Sequence, residues 1–223
     1  MTGMNEILVN KEPAERAITV GEEIANSISH GLGLILAIAA LPILVLSAIR
    51  VGKAGFIVGA SVFGGTMVFL YLASTLYHSL THDGAKRVFR VFDHSAIFLL
   101  IAGTYTPFTL GALRGPWGWT LFGIVWGLAV LGVGMKAFFG TRHTWLSIML
   151  YLFMGWLALV AIKPMVTLIP LPGVLWIIGG GIAYTGGLGF FAAHRMRYSH
   201  FIWHLFVIAG TICHFFAVLW YAA

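Results

Sequence analysis

In a chain of 223 residues, 60% are hydrophobic, only 9% are charged, and the mean hydropathy is +0.95, whereas an ordinary soluble domain is about 25% charged. That composition excludes a cytosolic enzyme, a disordered tail and a disulfide-stapled secreted module, and the lone Cys213 has no partner for an intramolecular disulfide or a CxxC site. A net charge of +6 would suggest nucleic acid in a soluble chain; here it fits basic loops at a membrane surface.

The first 23 residues are polar and mixed in charge, and form a tail rather than a cleavable signal peptide. Charge-free runs then follow at Ile24–Ile49, Ala54–His82, His94–Leu113, Gly115–Met135, His143–Ile162, Pro164–His194 and Tyr198–Ala223. Each is long enough for the roughly 20 residues of a membrane-crossing helix. The runs over 54–82 and 164–194 exceed one crossing but fall short of two, so each is read as one helix plus part of a loop. No run alternates as a membrane-barrel strand would, and a helix satisfies its own backbone in lipid. The expectation is an all-α integral membrane protein: a tail over 1–23 and seven transmembrane helices over 24–223.

Seven crossings put the termini on opposite sides. One side then carries nine basic residues, Lys11, Arg16, Lys86, Arg87, Arg90, Lys136, Arg142, Arg195 and Arg197; the other carries four, Arg50, Lys53, Arg114 and Lys163. The positive-inside rule places the N-terminus in the cytoplasm and the C-terminus outside. Trp117, Trp119, Trp220 and Tyr221 fall at the expected outer ends, where an aromatic belt sits. Gly55/Gly59 and Gly123/Gly127 suit close helix packing. Pro42 and Pro107 remove backbone donors and are expected to kink their helices.

Ionisable and hydrogen-bonding residues at membrane depth are the informative ones, because each is costly without a partner. The first helix opens on Glu23-Ile-Ala-Asn26-Ser-Ile-Ser-His30, the second ends on Ser74-Thr-Leu-Tyr-His78, Asp93 opens the third, and the seventh begins His200-Phe-Ile-Trp-His204. Asn26/His30, Ser74/His78 and His200/His204 are each four apart, so each pair shares one helix face. With the N-terminus inside, all of these groups lie near cytoplasmic helix ends. His204 is seven residues past Arg197, roughly 10 Å along a helix, and His78 is eight residues before Lys86, roughly 12 Å. The depths match.

Three imidazoles with a fourth position open form the ligand set of a catalytic zinc, whose bound water has a pKa lowered to about 7. Asp93 is placed to orient that water and take its proton, and Ser74 to hydrogen-bond an oxyanion or Asp93. The chemistry would be hydrolysis of a lipid amide or ester. The bland alternative is interhelical hydrogen bonding without chemistry. His82 is the rival ligand, one turn from His78. His94 and His194 sit nearer loops, His214 is expected to face elsewhere, and His143 has no assigned role.

The motifs together resemble the hemolysin III family, the bacterial branch of the progestin and AdipoQ receptor group, itself related to alkaline ceramidases. The likeness covers nearly the whole chain and is carried by E-I-A-N-S-I-S-H (Glu23 to His30), S-T-L-Y-H (Ser74 to His78), F-D-H-S-A-I-F-L-L-I-A-G-T-Y-T-P-F (Phe92 to Phe108) and H-F-I-W-H (His200 to His204). It implies a multi-pass protein of the bacterial inner membrane with a zinc on His78, His200 and His204, Asp93 holding the water and Ser74 beside it. Glu23, Asn26 and His30 take structural or ligand-orienting roles. Its implied partners are membrane lipids, a lipid substrate among them. Three functions stand: a zinc-dependent lipid hydrolase, a receptor-like or homeostatic protein with a structural zinc, and a cytolytic pore or transporter.

Overall fold

The computed structural model describes residue 16, residues 18–193 and residues 195–223; the tail residues before Arg16, with Lys11 among them, and His194 lie outside these. Seven helical spans are each long and apolar enough to cross a membrane, and there is no strand among the described residues. They are α1 (Val20–Val51), α2 (Ala54–Ser79), α3 (Asp83–Leu110), α4 (Pro116–Phe139), a composite fifth span, α7 (Leu171–Ala192) and α8 (Ser199–Tyr221). The fifth consists of α5 (Thr144–Trp156), a 3₁₀ segment (Leu157–Ala161) and α6 (Ile162–Leu168). α2 packs between α1 and α3, α4 lies on α3, α7 lies on α8, and α8 returns to α1.

α1 shows how the bundle sorts its residues. Asn26, Ser29, His30, Gly33 and Ala37 are buried, following the three-and-four spacing of one helix face. Ile28, Leu32, Ile35 and Ile38 are exposed. This inverts the amphipathicity of a water-soluble helix, because the outer face meets lipid and the inner face holds the polar groups. The start of α1 is fixed by a capping box, in which the Glu22 N–H donates to Thr19 Oγ1 and Thr19 N–H donates to Glu22 Oε2.

Two boundaries, one near the site and one in the fifth span, differ from the charge-free runs. α3 begins at Asp83, where His82 Nδ1 accepts the Ala85 N–H at 3.3 Å. Lys86, Arg87 and Arg90 therefore lie on the helix, and Asp93 stands ten residues inside α3 rather than opening it. A helix does not end where the hydrocarbon does, since long basic side chains snorkel to the interface. The fifth span runs on through Lys163 and Pro164 to Leu168. Pro164 has no N–H for the residue 160 carbonyl and its ring crowds that group, so the preceding turn tightens to 3₁₀ over Leu157–Ala161. Tyr105 of α3 fills the break: its hydroxyl accepts from Ala158 N–H at 2.9 Å and shares its proton between the carbonyls of Met154 and Gly155, at 2.8 and 3.0 Å.

The glycine pairs part company. A Cβ on Gly55 would lie 2.4 Å from the Leu110 carbonyl oxygen, and one on Gly59 would lie 2.4 Å from Pro107 Cα, so both let α2 and α3 backbones meet. Among the described residues, nothing lies within 4 Å of that position on Gly123 or Gly127. That pair leaves open space where a neighbouring helix would sit, against the expectation from spacing.

Candidate metal centre

One end of the bundle gathers the start of α1, the end of α2, the first part of α3 and the start of α8. On α2 the buried residues Met67, Tyr71, Ser74 and His78 form one stripe; on α8 His204, Val207, Thr211 and His214 form another. The stripes face each other, which brings His78, His200 and His204 together. Each offers one ligand nitrogen, and these atoms all lie within 4.8 Å of one another. Two nitrogens on a tetrahedral zinc, each about 2.1 Å away, are about 3.4 Å apart, so the rings need to close by about 1 Å to grip one ion.

Hydrogen bonds decide which nitrogens are left for a metal. The Glu23 carboxylate accepts from His78 Nδ1 at 2.6 Å. A carboxylate only accepts, so Nδ1 carries the proton and Nε2 keeps its lone pair. His78 Nε2 is buried with no hydrogen-bond partner among the described residues. His204 Nδ1 donates to the Asn26 carbonyl oxygen at 3.1 Å and lies 3.0 Å from Ser29 Oγ, which leaves Nε2 as the ligand atom there too. Glu23 is itself held, its Oε1 accepting from Lys86 Nζ at 2.7 Å. Ring-holding carboxylates and carbonyls of this kind accompany metal-bound histidine generally, so the residues present fit a metal on their own chemistry.

Asp93 is 8% exposed and lines a cavity together with His30, His200 and His204. Fully buried Ser74 stands beside its carboxyl, and the serine hydroxyl makes no well-formed hydrogen bond. His30 stacks on His204 with ring centroids 3.5 Å apart and planes 9° from parallel, and both its nitrogens are buried and unpartnered among the described residues. The cavity, of about 150 Å³, continues away from this end past Ile101 and Ile177 to Leu113, Leu121, Met165 and Val174.

The other histidines sort differently from the expectation. His82 is exposed and caps α3, so it is no rival ligand. His94 is only half-buried but lines the cavity from inside α3, and its carbonyl accepts from the Tyr151 hydroxyl. His214 lines the cavity as well; its offset of ten residues from His204 leaves it on the broad inward stripe of α8. Two supporting residues stand outside the expected site. Ser29 lies inside the first motif, with its hydroxyl 3.0 Å from His204 Nδ1. Buried Glu22 accepts the Tyr198 N–H at 2.8 Å and pairs with Arg16, tying the start of α8 to α1. The Thr19-to-Glu22 capping spacing was its available signal.

The haemolysin-III related family model matches residues 18–215. The chain is 49% identical over 202 residues to "Hemolysin-3" of Bacillus cereus, covering 91% of this chain and 92% of that protein. It is 47% identical over 203 residues to "Hemolysin-3 homolog" of Bacillus subtilis (strain 168), covering 91% and 95%. A more distant relative, 24% identical over 165 residues and covering 71% of this chain and 68% of its own length, is the "Monocyte to macrophage differentiation factor" of Homo sapiens. With seven apolar spans, a family match along most of its length and bacterial relatives near half identity, this chain belongs to the haemolysin-III related family of multi-pass membrane proteins.

Proposed function

We propose that this protein is a zinc-dependent hydrolase of a lipid amide or ester, working at the cytoplasmic side of a bacterial inner membrane. The observation that carries the reading is the opening of the His200/His204 end onto an elongated apolar cavity also lined by Asp93. A zinc on three imidazoles supplies Lewis acidity and a water acidic enough to act near neutral pH. The chain's own residues do the rest. The apolar length of the cavity holds an acyl or alkyl chain and excludes water, which places the scissile carbonyl against the imidazoles. Asp93 takes the proton of the attacking water and returns it to the leaving group. Ser74 steadies the Asp93 carboxyl or donates to the developing oxyanion. Glu23, Asn26 and Ser29 hold the rings of His78 and His204, and His30 walls the site. The basic residues Lys86, Arg87, Arg90, Arg195 and Arg197 flank this end of the bundle, which supports its cytoplasmic placement.

The test is metal analysis of detergent-purified protein, followed by turnover of a fluorogenic N-acyl amide. Asp93→Asn is expected to keep the metal and lower turnover about 10²- to 10⁴-fold. Protein that purifies without any transition metal overturns the reading.

A structural metal is the second reading, and one observation favours it: Glu23, Asn26 and Ser29 of α1 bind histidines of α2 and α8, so the centre joins three helices. Under that reading Asp93→Asn changes nothing measurable. A pore or transporter, suggested by the relatives' name, predicts leakage from reconstituted vesicles that is lost on His78→Ala.

A further inference from the structure

We propose that the cavity contains a second polar station, deep in the bundle, at which His214 and Tyr184 bind a hydroxyl carried part-way along the ligand's chain. The proposal rests on the reading of the cavity as a chain-binding site. His204 and His214 are ten residues apart on α8, about 15 Å along the helix. Both line the cavity.

The surroundings of His214 are otherwise spoken for. Its ring stacks on Tyr184 with centroids 5.5 Å apart and planes 20° from parallel. It is seated where α7 has no side chain: a Cβ on Gly180 would lie 2.5 Å from His214 Nε2. Thr211 Oγ1 donates its only proton to the Val207 carbonyl at 2.9 Å. It can therefore only accept from its other neighbours, the hydroxyls of Tyr71 and Tyr184, each at 2.9 Å. Two acceptances use both lone pairs of the threonine oxygen. The Tyr184 hydroxyl thus spends its proton on Thr211 and keeps a lone pair, and Tyr184 lines the cavity.

His214 is left over. It is 7% exposed, and its Nδ1 is buried without a partner among the described residues. A neutral imidazole carries one donor and one acceptor, and a buried polar group left unmet is unfavourable. Beyond it the cavity wall turns apolar at Leu113, Leu121, Met165 and Val174. A single hydroxyl reaches only one nitrogen of the ring, so the station offers it one imidazole N–H and the Tyr184 oxygen in an otherwise oily channel. A hydroxyl, which donates and accepts at once, matches that set; an unsubstituted alkyl chain leaves it unmet.

The experiment uses full-length protein reconstituted in nanodiscs and competition against a fluorescent fatty acid. The probes are octadecanoic acid and the same acid carrying a mid-chain hydroxyl. Wild type is expected to bind the hydroxy acid about tenfold more tightly, the size of one good buried hydrogen bond. His214→Phe, which keeps a ring in the same space, brings the ratio of the two affinities to about one. Tyr184→Phe narrows the ratio and serves if the histidine variant does not fold. Equal affinities in wild type, as when a buried water meets the imidazole, overturn the proposal. So does a preference that survives both substitutions, or a cavity that binds neither acid. The readout is binding, so a preserved preference without hydrolytic turnover supports the station and retires the hydrolase reading.

Discussion

Two regions of this bundle place polar groups deep among apolar helices, and they finish the job differently. In the fifth span, the backbone groups released at the 3₁₀ break are met by Tyr105, which serves Met154, Gly155 and Ala158 at once. At the histidine end, the outward nitrogens of His78 and His204 are tied to Glu23 and Asn26, while among the described residues His78 Nε2, both nitrogens of His30 and the Ser74 hydroxyl have no well-formed partner. Both arrangements hold helices together. Only the second leaves bonding capacity beside a cavity, which His30 lines, and a membrane interior offers no bulk water to satisfy it. Saturated polar groups in such a bundle mark structure; unsaturated ones mark a place for a ligand.

The contrast can be broken most forcefully at the histidines. His200→Ala/His204→Ala is expected to reduce bound metal from about one per chain to almost none, measured by elemental analysis on protein that still migrates as a folded species. Glu23→Gln removes the carboxylate behind His78 and is expected to weaken metal affinity about 10- to 100-fold, read by competition with a chelator. Turning to the other region, Tyr105→Phe strips the partner from the fifth-span break. It should cost about 1–3 kcal/mol in a reversible unfolding measurement while leaving metal content unchanged. The smallest effect is expected at Gly123→Ala, within about 0.5 kcal/mol of wild type, because nothing lies where the new methyl would go. Gly59→Ala, aimed at the Pro107 backbone, is its destabilising control.

Much of the centre was legible from spacing. His200 and His204 four apart, and Ser74 and His78 likewise, define helix faces whatever the fold. Matching depths from flanking basic residues brought those faces to one level. Two placements depend on more than the segment. Charge alone ends a span at Asp93, whereas α3 begins ten residues earlier, at Asp83. A strict angle from His204 turns His214 to another face, whereas the cavity follows a broad stripe along α8. Gly123 and Gly127 have the same spacing as Gly55 and Gly59, yet one pair faces open space and the other meets a neighbouring helix.

Local chemistry therefore determined the number of crossings, the all-helical class, the inverted polarity of α1 and the candidate ligands, because hydropathy, helical period and imidazole chemistry are properties of short segments. The tertiary structure alone decided which nitrogen of His78 and of His204 is left for a metal, that Glu22 reaches Tyr198, that Tyr105 mends the fifth span, and that His94 and His214 border one cavity. Those outcomes depend on how each helix is rotated about its axis. Where a helix carries few polar groups, its lipid-facing and core-facing sides are equally apolar, so hydropathy cannot encode that rotation; only packing and the pairing of a few buried polar groups can.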